Sequence, residues 1–416
     1  MQYSTIYISG VNMVVYSSII GVGRTVFGEH YEKDPEDLIE EAGLNALINA
    51  NIERKDIEAI YISDYFLQVT NKIGIEEGFL AELLNLNIPM ERFRSFSSAL
   101  MNACLAIYSG RYNIVLVGGV EKISDRLDKI RDDLMMLYDP WTYYSGGTPE
   151  SSHELMLREY IKTYNIGKEY YDKFMRSLAY VSVKSHKFGS KNKYAQFYGR
   201  EIKIDDVLNA RYVSKGILGI YDYAPPITGH PSDGSTVAII TSPRIAYEYS
   251  DKPIHIVGLG SATDYISYTL RPQRIGFKSV KLAGSKALSE AGISINDIQI
   301  AELYDQSTIM EAILLEDLGF CSCGKSWEII YNSYIKNKLY YEFSNGVLYV
   351  NTNGGLKADG NPLGALGGAQ IFEITSQLRG VSNDRQIKVE NGLKHGLTVE
   401  LEGFGTKAYV FVFRGD

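Results

Sequence analysis

The sequence predicts an α/β protein made of two duplicated halves stacked as five layers, α-β-α-β-α, and two observations predict it. The first is an internal repeat. Ala42, Gly43, Ala46, Leu47, Ala50, Ile52, Asp56 and Ile57 recur as Ala283, Gly284, Ala287, Leu288, Ala291, Ile293, Asp297 and Ile298, every pair 241 positions apart. Ungapped matching at one offset over that many positions is not a chance pattern. Both copies read as a helix, a short loop closed by Asp-Ile, and an apolar strand at 59–62 and 300–303. Duplicated halves with their sheets side by side bury a helix layer between them. The second observation is residues 351–370, NTNGGLKADGNPLGALGGAQ. Gly354, Gly355, Gly360, Gly364, Gly367 and Gly368 are too dense for an ordinary turn, so something comes very close to this backbone. From the residues alone, a tight strand-to-helix crossing explains them as well as a ligand does.

Taken in order, residues 1–12 read as an extension ahead of a first core strand, which begins as the β-branched run 14–22 and ends in G-V-G-R-T. A helix follows from about Pro35, capped by Asp34 and acidic in its first turn. The first half is assigned to 13–250 and the second to 251–416. Inside the first half, residues 126–210 carry helical periodicity at 154–164 and 170–187, followed by a run of cations from Lys184 and Lys187 through Lys191 and Lys193 to Arg200. Such lysines commonly mark a solvated face; meeting a phosphate is the alternative.

The chain has 416 residues, enough for two domains of ordinary size, with 45% hydrophobic and 22% charged residues. A net charge of -8 offers no basic surface to a phosphate backbone, so nucleic acid is not an expected partner. Three cysteines, Cys104, Cys321 and Cys323, lack a disulfide framework and suit a reducing compartment. The Cys321-Ser-Cys323 pair has no second half, so no metal site is expected. No apolar run is long enough to span a membrane. The first 23 residues show no basic n-region or clear cleavage site, which makes the cytoplasm the expected location.

The order GG-x5-N-P-x-G-A-x-G-G-A-Q over 354–370 resembles the GG-x4-G-H-P-x-G-A-T-G signature of the thiolase superfamily. Further stretches are similar to its sterol-carrier-protein type: 109–110 through 115–122 (VLVGGVEK), 194–197 (YAQF), 257–264 (VGLGSATD) and 301–320 (AELYDQSTIMEAILLEDLGF). The resemblance covers nearly the whole chain beyond residue 13. It implies the thiolase fold, with 126–210 as a loop domain over a coenzyme A site, and a homodimer built on the first half's sheet.

A thiolase needs an activated thiol, a base and donors for the thioester oxygen. The resemblance puts the nucleophile at Phe93, at the head of the helix ending in Ser109-Gly110, and no cysteine stands there. Cys104 lies further along the same helix in an apolar stretch and reads as core. Ser95, Ser97 and Ser98 read as a helix cap and anion donors, with Arg92 and Arg94 adding charge. At the second station Tyr304-Asp305 replaces His-Asp; a phenol donates to an enolate and, with its pKa lowered, exchanges a proton. At the third, Asn361 replaces the signature histidine and donates without carrying a proton. The last station falls on Val399, beside Glu400 and Glu402 and ahead of the Gly403 and Gly405 turn, with His395 upstream as a substitute. His230, in the counterpart of the family's P-x-x-D-G-A segment, reads as a turn near the CoA cleft, and His186 as structural or adjacent to pantetheine. Tyr304 and Asn361 are therefore the expected catalytic pair, with Ser95, Asp305, His230, Gly364 and Gly405 expected around the substrate.

Loss of Cys and His at these stations argues against acyl transfer through sulfur, but not against binding a CoA ester. The similar branch is that of thiolase-like aldolases, which cleave β-hydroxyacyl-CoA esters without a covalent intermediate, use tyrosines for proton transfer and pair with a small zinc-ribbon/OB-fold protein. The resemblance thus implies an aldolase-type C–C lyase or ligase with CoA as part of the substrate and no covalently bound cofactor. The alternatives are a non-catalytic subunit of a larger complex and an acetyl-CoA acetyltransferase working by an unrecognised route.

Overall fold

Alternation along each strand divides the apolar residues between two faces, and the faces define the layers. The computed structural model describes residues 5–8, 11–213, 216–344, 346–389 and 392–415. Its strands are β1 (Thr5–Ile8), β2 (Val11–Val14), β3 (Ser17–Arg24), β4 (Ala59–Ser63), β5 (Met90–Phe93), β6 (Ile114–Glu121), β7 (Gly234–Thr241), β8 (Ile254–Thr263), β9 (Ile300–Glu302), β10 (Tyr341–Phe343), β11 (Gly346–Val350), β12 (His395–Glu402) and β13 (Lys407–Arg414). The helices of ten or more residues among those described are α1 (Pro35–Ala50), α2 (Phe96–Tyr108), α3 (Ser151–Thr163), α4 (Lys168–Gly189), α5 (Lys278–Ala291), α6 (Thr308–Asp317), α7 (Ser326–Ile335) and α8 (Leu366–Arg379). No helix among the described residues is long and apolar enough to cross a membrane.

One 11-stranded mixed sheet runs β10-β11-β9-β12-β13-β8-β3-β7-β6-β4-β5. Its two ends mirror each other. β3-β7-β6-β4-β5 pairs antiparallel, antiparallel, parallel, parallel, and β8-β13-β12-β9-β11 repeats that pattern. The halves meet where β3 pairs with β8. On one face of the first half, Ile20, Ile60 and Ile239 pack on Leu38, Ala42 and Ala46 of α1. On the other, Ile19, Val115 and Val117 pack with α2 and α8 and with Ile256, Ile300 and Phe411 of the second half. The second half turns Val257, Leu397 and Val412 toward α5 and the helices α3 and α4. The five-layer order follows: α1, sheet, α2 with α8, sheet, α5 with the inserted helices.

The repeat marks where helix meets strand most closely. A Cβ on Gly21 or Gly23 would lie 2.6 Å from the Ala46 carbonyl or 2.3 Å from that of Ala42. A Cβ on Gly258 or Gly260 would lie 2.2 or 1.9 Å from the carbonyls of Ala287 and Ala283. Both helices end in left-handed caps, Asn51 and Gly292, and both loops close in a 3-10 turn at Asp56 or Asp297. α1 starts as its sequence demands, with Asp34 in a capping box with Asp37 and Pro35 at its first position. Of the extension assigned to 1–12, residues 1–4, 9 and 10 lie outside the described residues, and the remainder forms the antiparallel pair β1–β2 with residues 13–14.

Candidate functional site

The site is built where the central helices point their first turns at the end of β12. Leu397, Val399 and Leu401 face the core beneath α5, so Thr398, Glu400 and Glu402 face the central helix layer. Glu400 Oε2 accepts from the Ser97 N–H at 2.7 Å, and its carboxylate also accepts from the Gly367 N–H. Ser97 and Gly367 are the second residues of α2 and α8, so one buried carboxylate receives the positive ends of two helices. A Cβ on Gly367 would lie 2.2 Å from Glu400 Oε2, and only glycine admits that approach. Burial nevertheless pushes the Glu400 carboxyl up to about 7, against those hydrogen bonds. Next to it, Glu402 Oε1 accepts from Ser95 Oγ at 2.8 Å and Oε2 pairs with Arg94 at 3.3 Å. The Arg94 side chain is 62% exposed, so the group of polar residues reaches solvent there.

Two phenols complete the group. Tyr304 is buried at the end of β9. Burial first, then the charges of Glu400 and Glu402, push its hydroxyl far above the ordinary tyrosine value. The direction is opposite to the lowered pKa that a proton-exchange role would need. Tyr65 is pushed up in the same way by burial, Glu402, Tyr304 and Glu400, with Arg94 opposing. Its backbone N–H, with those of Phe66 and Gly364, donates to Glu121 at 3.0 Å each, which ties the loop after β4 to the glycine-rich turn.

The remaining stations divide between the site and the frame. Phe93 ends β5 with its ring 5.4 Å from that of Tyr61 and packs against the central core; it is a sheet residue ahead of the helix head, and α2 starts after Ser95. Val399 is fully buried among apolar side chains, and strand alternation gives its neighbour Glu400 the position facing the helices. His395 opens the same strand, five residues or about 17 Å earlier. The expected anion donors at the head of α2 are already taken: Ser95 caps Ser98 and donates to Glu402, Arg94 pairs with Glu402, and Arg92 grips Asp64 at 2.9 and 3.0 Å. Gly364 donates its N–H to Glu121 and accepts from Ser63 Oγ at 2.7 Å, which leaves it no free donor. Gly405 adopts φ +68 with its would-be Cβ 2.0 Å from Phe277, and its carbonyl accepts from Ser279; it shapes a turn. Asp305 holds the glycine-rich loop through the Leu356 N–H at 2.7 Å. Asn361 is different. Its backbone donates to Ser232 Oγ, and its side-chain amide is fully buried with neither Oδ1 nor Nδ2 partnered.

A cavity of about 330 Å³ is lined among others by His186, Gln196, Arg200, Tyr223, His230 and Lys357. A Cβ on Gly360 would lie 3.0 Å from Gln196 Oε1, so the chain running into Asn361 skirts the cavity wall. The His230 side chain is 55% exposed, 4.0 Å from Glu29. His186 is buried, its imidazole pulled down to about 4 by burial and then Lys357. Lys357 donates to the Tyr223 carbonyl, and burial pulls its ammonium down to about 8 while Asp222 and Asp305 oppose. Of the cations from Lys184 to Arg200 singled out in the sequence, Arg200 alone lines this cavity. Lys184 is fully buried on Glu311 at 2.9 Å, Lys187 reaches Asn337, and Lys191 and Lys193 line a separate groove with Arg379 and Arg385. Cys104 is fully buried 3.1 Å from Ser17 Oγ, its thiol pushed up to about 12 by burial. No cluster of three or more His, Cys, Asp or Glu among the described residues is placed to hold a metal ion.

Tyr65, Glu121, Lys357 and the paired role of Glu400 and Glu402 were not singled out from sequence. The T-V-E-L-E alternation at 398–402 was the available signal for the last pair: charged residues at period two at the end of a core strand face one side together.

Comparison with known proteins follows the same outline. Residues 17–214 match the family described as "Thiolase, N-terminal domain" and residues 260–414 the one described as "Thiolase C-terminal domain-like". The chain is 34% identical over 399 residues, 93% of its length and 96% of the relative's, to an "Acetyl-CoA acetyltransferase" of Methanocaldococcus jannaschii. It is 27% identical over 399 residues to "Sterol carrier protein 2" of Gallus gallus, covering 91% of this chain and 69% of that one. Among solved structures, the one described as "Ltp2-ChsH2(DUF35) aldolase" superposes with a TM-score of 0.77 at 21% identity, over 95% of this chain and 97% of that one. Human mitochondrial 3-ketoacyl-CoA thiolase superposes with a TM-score of 0.65 at 15% identity, over 96% and 99%.

Proposed function

Since the chain belongs to the thiolase superfamily, in its sterol-carrier-protein type, we propose that it binds an acyl-CoA and makes or breaks the C–C bond beta to the thioester by aldol chemistry, with no acyl group carried on sulfur. The observation that carries the reading is the chemistry at the head of α2: serines held by Glu400 and Glu402 stand there, and the helix's cysteine is sealed in the core. In the cleavage direction a β-hydroxyl gives up its proton and the Cα–Cβ electrons pass to the thioester as an enolate. An aldehyde or ketone leaves, and Cα takes a proton back. Tyr304, held protonated, and the unpartnered Asn361 amide are the donors for the enolate oxygen. The cavity beside Lys357, Arg200 and His230 receives the pantetheine arm. The unpaired outer edge of β5, where the sheet ends, is the surface for a homodimer, and a small zinc-ribbon/OB-fold protein is the expected further partner.

The test is to supply β-hydroxyacyl-CoA esters and assay for aldehyde or ketone together with the shortened acyl-CoA. Release of both supports the reading; turnover of acetyl-CoA to acetoacetyl-CoA with no aldol cleavage overturns it. Acyltransferase activity is the second reading, favoured by the name of the 34%-identical relative.

A further inference from the structure

Resting on the aldol reading, we infer that Glu400 is the group that moves the proton: its carboxylate takes a proton from the α-carbon of the bound acyl-CoA and hands it to the β-oxygen as the C–C bond forms, with the reverse path in cleavage. The first support is the comparison that the duplication makes possible. Ala59 pairs with Val115 in one half and Ile300 with Gly396 in the other, and Ala59 and Ile300 are equivalent in the repeat. The β6 position equivalent to Glu400 is therefore Gly119, and the one equivalent to Glu402 is Glu121. At Gly119 a Cβ would lie 2.2 Å from the Gly364 carbonyl, so the fold places bare backbone where the other half places a carboxylate. The first half fills the equivalent point without an acid.

The second support is the surroundings. Every titratable or charged group facing Glu400 leaves it as the proton carrier. Glu402, on the same strand, is bound to Ser95 and Arg94. Tyr409, directly across on β13, Tyr304 and Tyr65 are phenols that burial keeps protonated. Lys407 stands across from Glu402 and lies over the Tyr409 ring, 4.7 Å from its centroid. Glu400 is fastened by two backbone N–H groups that hold its charged form in place while burial keeps its proton affinity near neutrality, which is what a general base working at neutral pH needs. The exchange step balances without a co-reactant: Glu400 accepts the α-proton, the C–H electrons enter the thioester as an enolate, and the same carboxyl returns the proton.

The experiment separates this step from the aldol step. Acetyl-CoA is incubated with the protein in D2O and deuterium at the methyl carbon is followed by mass spectrometry, next to release of aldehyde from β-hydroxyacyl-CoA. The wild-type protein is expected to exchange above the buffer rate, with the rate rising with pH and levelling above about 7. Glu400→Gln is expected to lose about 10²-fold or more; should that variant not fold, Glu400→Asp keeps the carboxyl and is expected to exchange more slowly with the same pH limb. Exchange that depends on Glu400 without any aldehyde release upholds Glu400 and overturns the aldol reading. Wild-type exchange at the buffer rate, a pH-independent exchange rate, or a Glu400→Gln variant exchanging like wild type, overturns the inference.

Discussion

Replacing Cys104 by alanine decides whether sulfur takes part. Cys104 lies nine residues along α2 from the capping Ser95, about 13 Å down the helix axis. Its side chain is fully buried with Ser17 Oγ at 3.1 Å. With the thiol at about 12, about one molecule in 10⁵ carries a thiolate at pH 7, and the thiolate is the nucleophile. Truncation removes a buried sulfur and leaves the Ser17 hydroxyl short of a partner, so the expected loss of stability is about 1–3 kcal/mol. Urea unfolding followed by circular dichroism measures it. Aldol cleavage and CoA binding, measured on the folded variant, are expected to stay within twofold of wild type. An acyl group found covalently on Cys104 by peptide mass spectrometry, or a fall in activity beyond 10²-fold at unchanged folding, would refute the assignment of this residue to the core and revive acyl transfer.

Three other outcomes are expected. Tyr304→Phe removes a donor to the enolate and is expected to lower kcat by about 10²–10³ with little change in KM, measured by steady-state kinetics of aldehyde release; a KM effect alone would make Tyr304 a packing residue. Lys184→Met strips the partner from Glu311, a pair 2.9 Å apart and fully buried, and is expected to lose about 3–5 kcal/mol in urea unfolding, with Glu311→Gln in the same chain recovering much of it. Stability is expected to fall between pH 6.5 and 8. Glu121 is held up at about 8 in the fold by burial and then Asp64, so the folded state keeps a proton that the unfolded chain releases, and stability present at low pH is lost as pH rises through the folded value. The buried His153 and His186, pulled down to about 3 and 4, act below 6.5 and leave this window to the carboxyls. The Glu121 contribution over it is about 2 kcal/mol, and Glu121→Gln is expected to flatten the curve of urea midpoint against pH.

The layers were legible because they rest on patterns that survive in one dimension. The 241-residue offset marks the helix, turn and strand that pack together in each half, and the periodicity at 154–164 and 170–187 marks α3 and α4. The glycine-rich stretch was legible as a close approach, and the structure supplies the reason: Asp305, Ser232 and the Gly189 backbone press on Gly355, Gly360 and Gly354. The site was legible only where a motif numbered it. Tyr304, Asn361 and Val399 are all buried, but a count to Val399 says nothing of its neighbour, since a strand reverses its face at every step and an offset of one exchanges an apolar core residue for a carboxylate. The direction of the Tyr304 shift was not legible, because it depends on burial and on Glu400 and Glu402, nearly a hundred residues away in sequence. Lys184 shows the same limit: in a run of cations it reads as surface, and the fold seals it against Glu311.

Glu121 and Glu402 stand at equivalent ends of β6 and β12, yet they do different work. Glu121 accepts from backbone N–H groups of Tyr65, Phe66 and Gly364, one of them from the opposite half, so moving it would break the loop that both halves share. Glu402 holds only side chains, the Ser95 hydroxyl and the exposed Arg94 guanidinium, and either swings away by rotating about single bonds. A pair with one partner largely in solvent contributes little to stability. Breaking the Arg94 contact therefore leaves the fold intact and leaves Glu402 held by the Ser95 hydroxyl alone. Arg94→Ala is accordingly expected to leave the urea midpoint near that of wild type. It shifts the pH limb of Cα exchange upward instead, because a positive charge that opposes the neighbouring carboxylates has gone. A variant that unfolds more easily but keeps the wild-type limb would assign Arg94 to the frame.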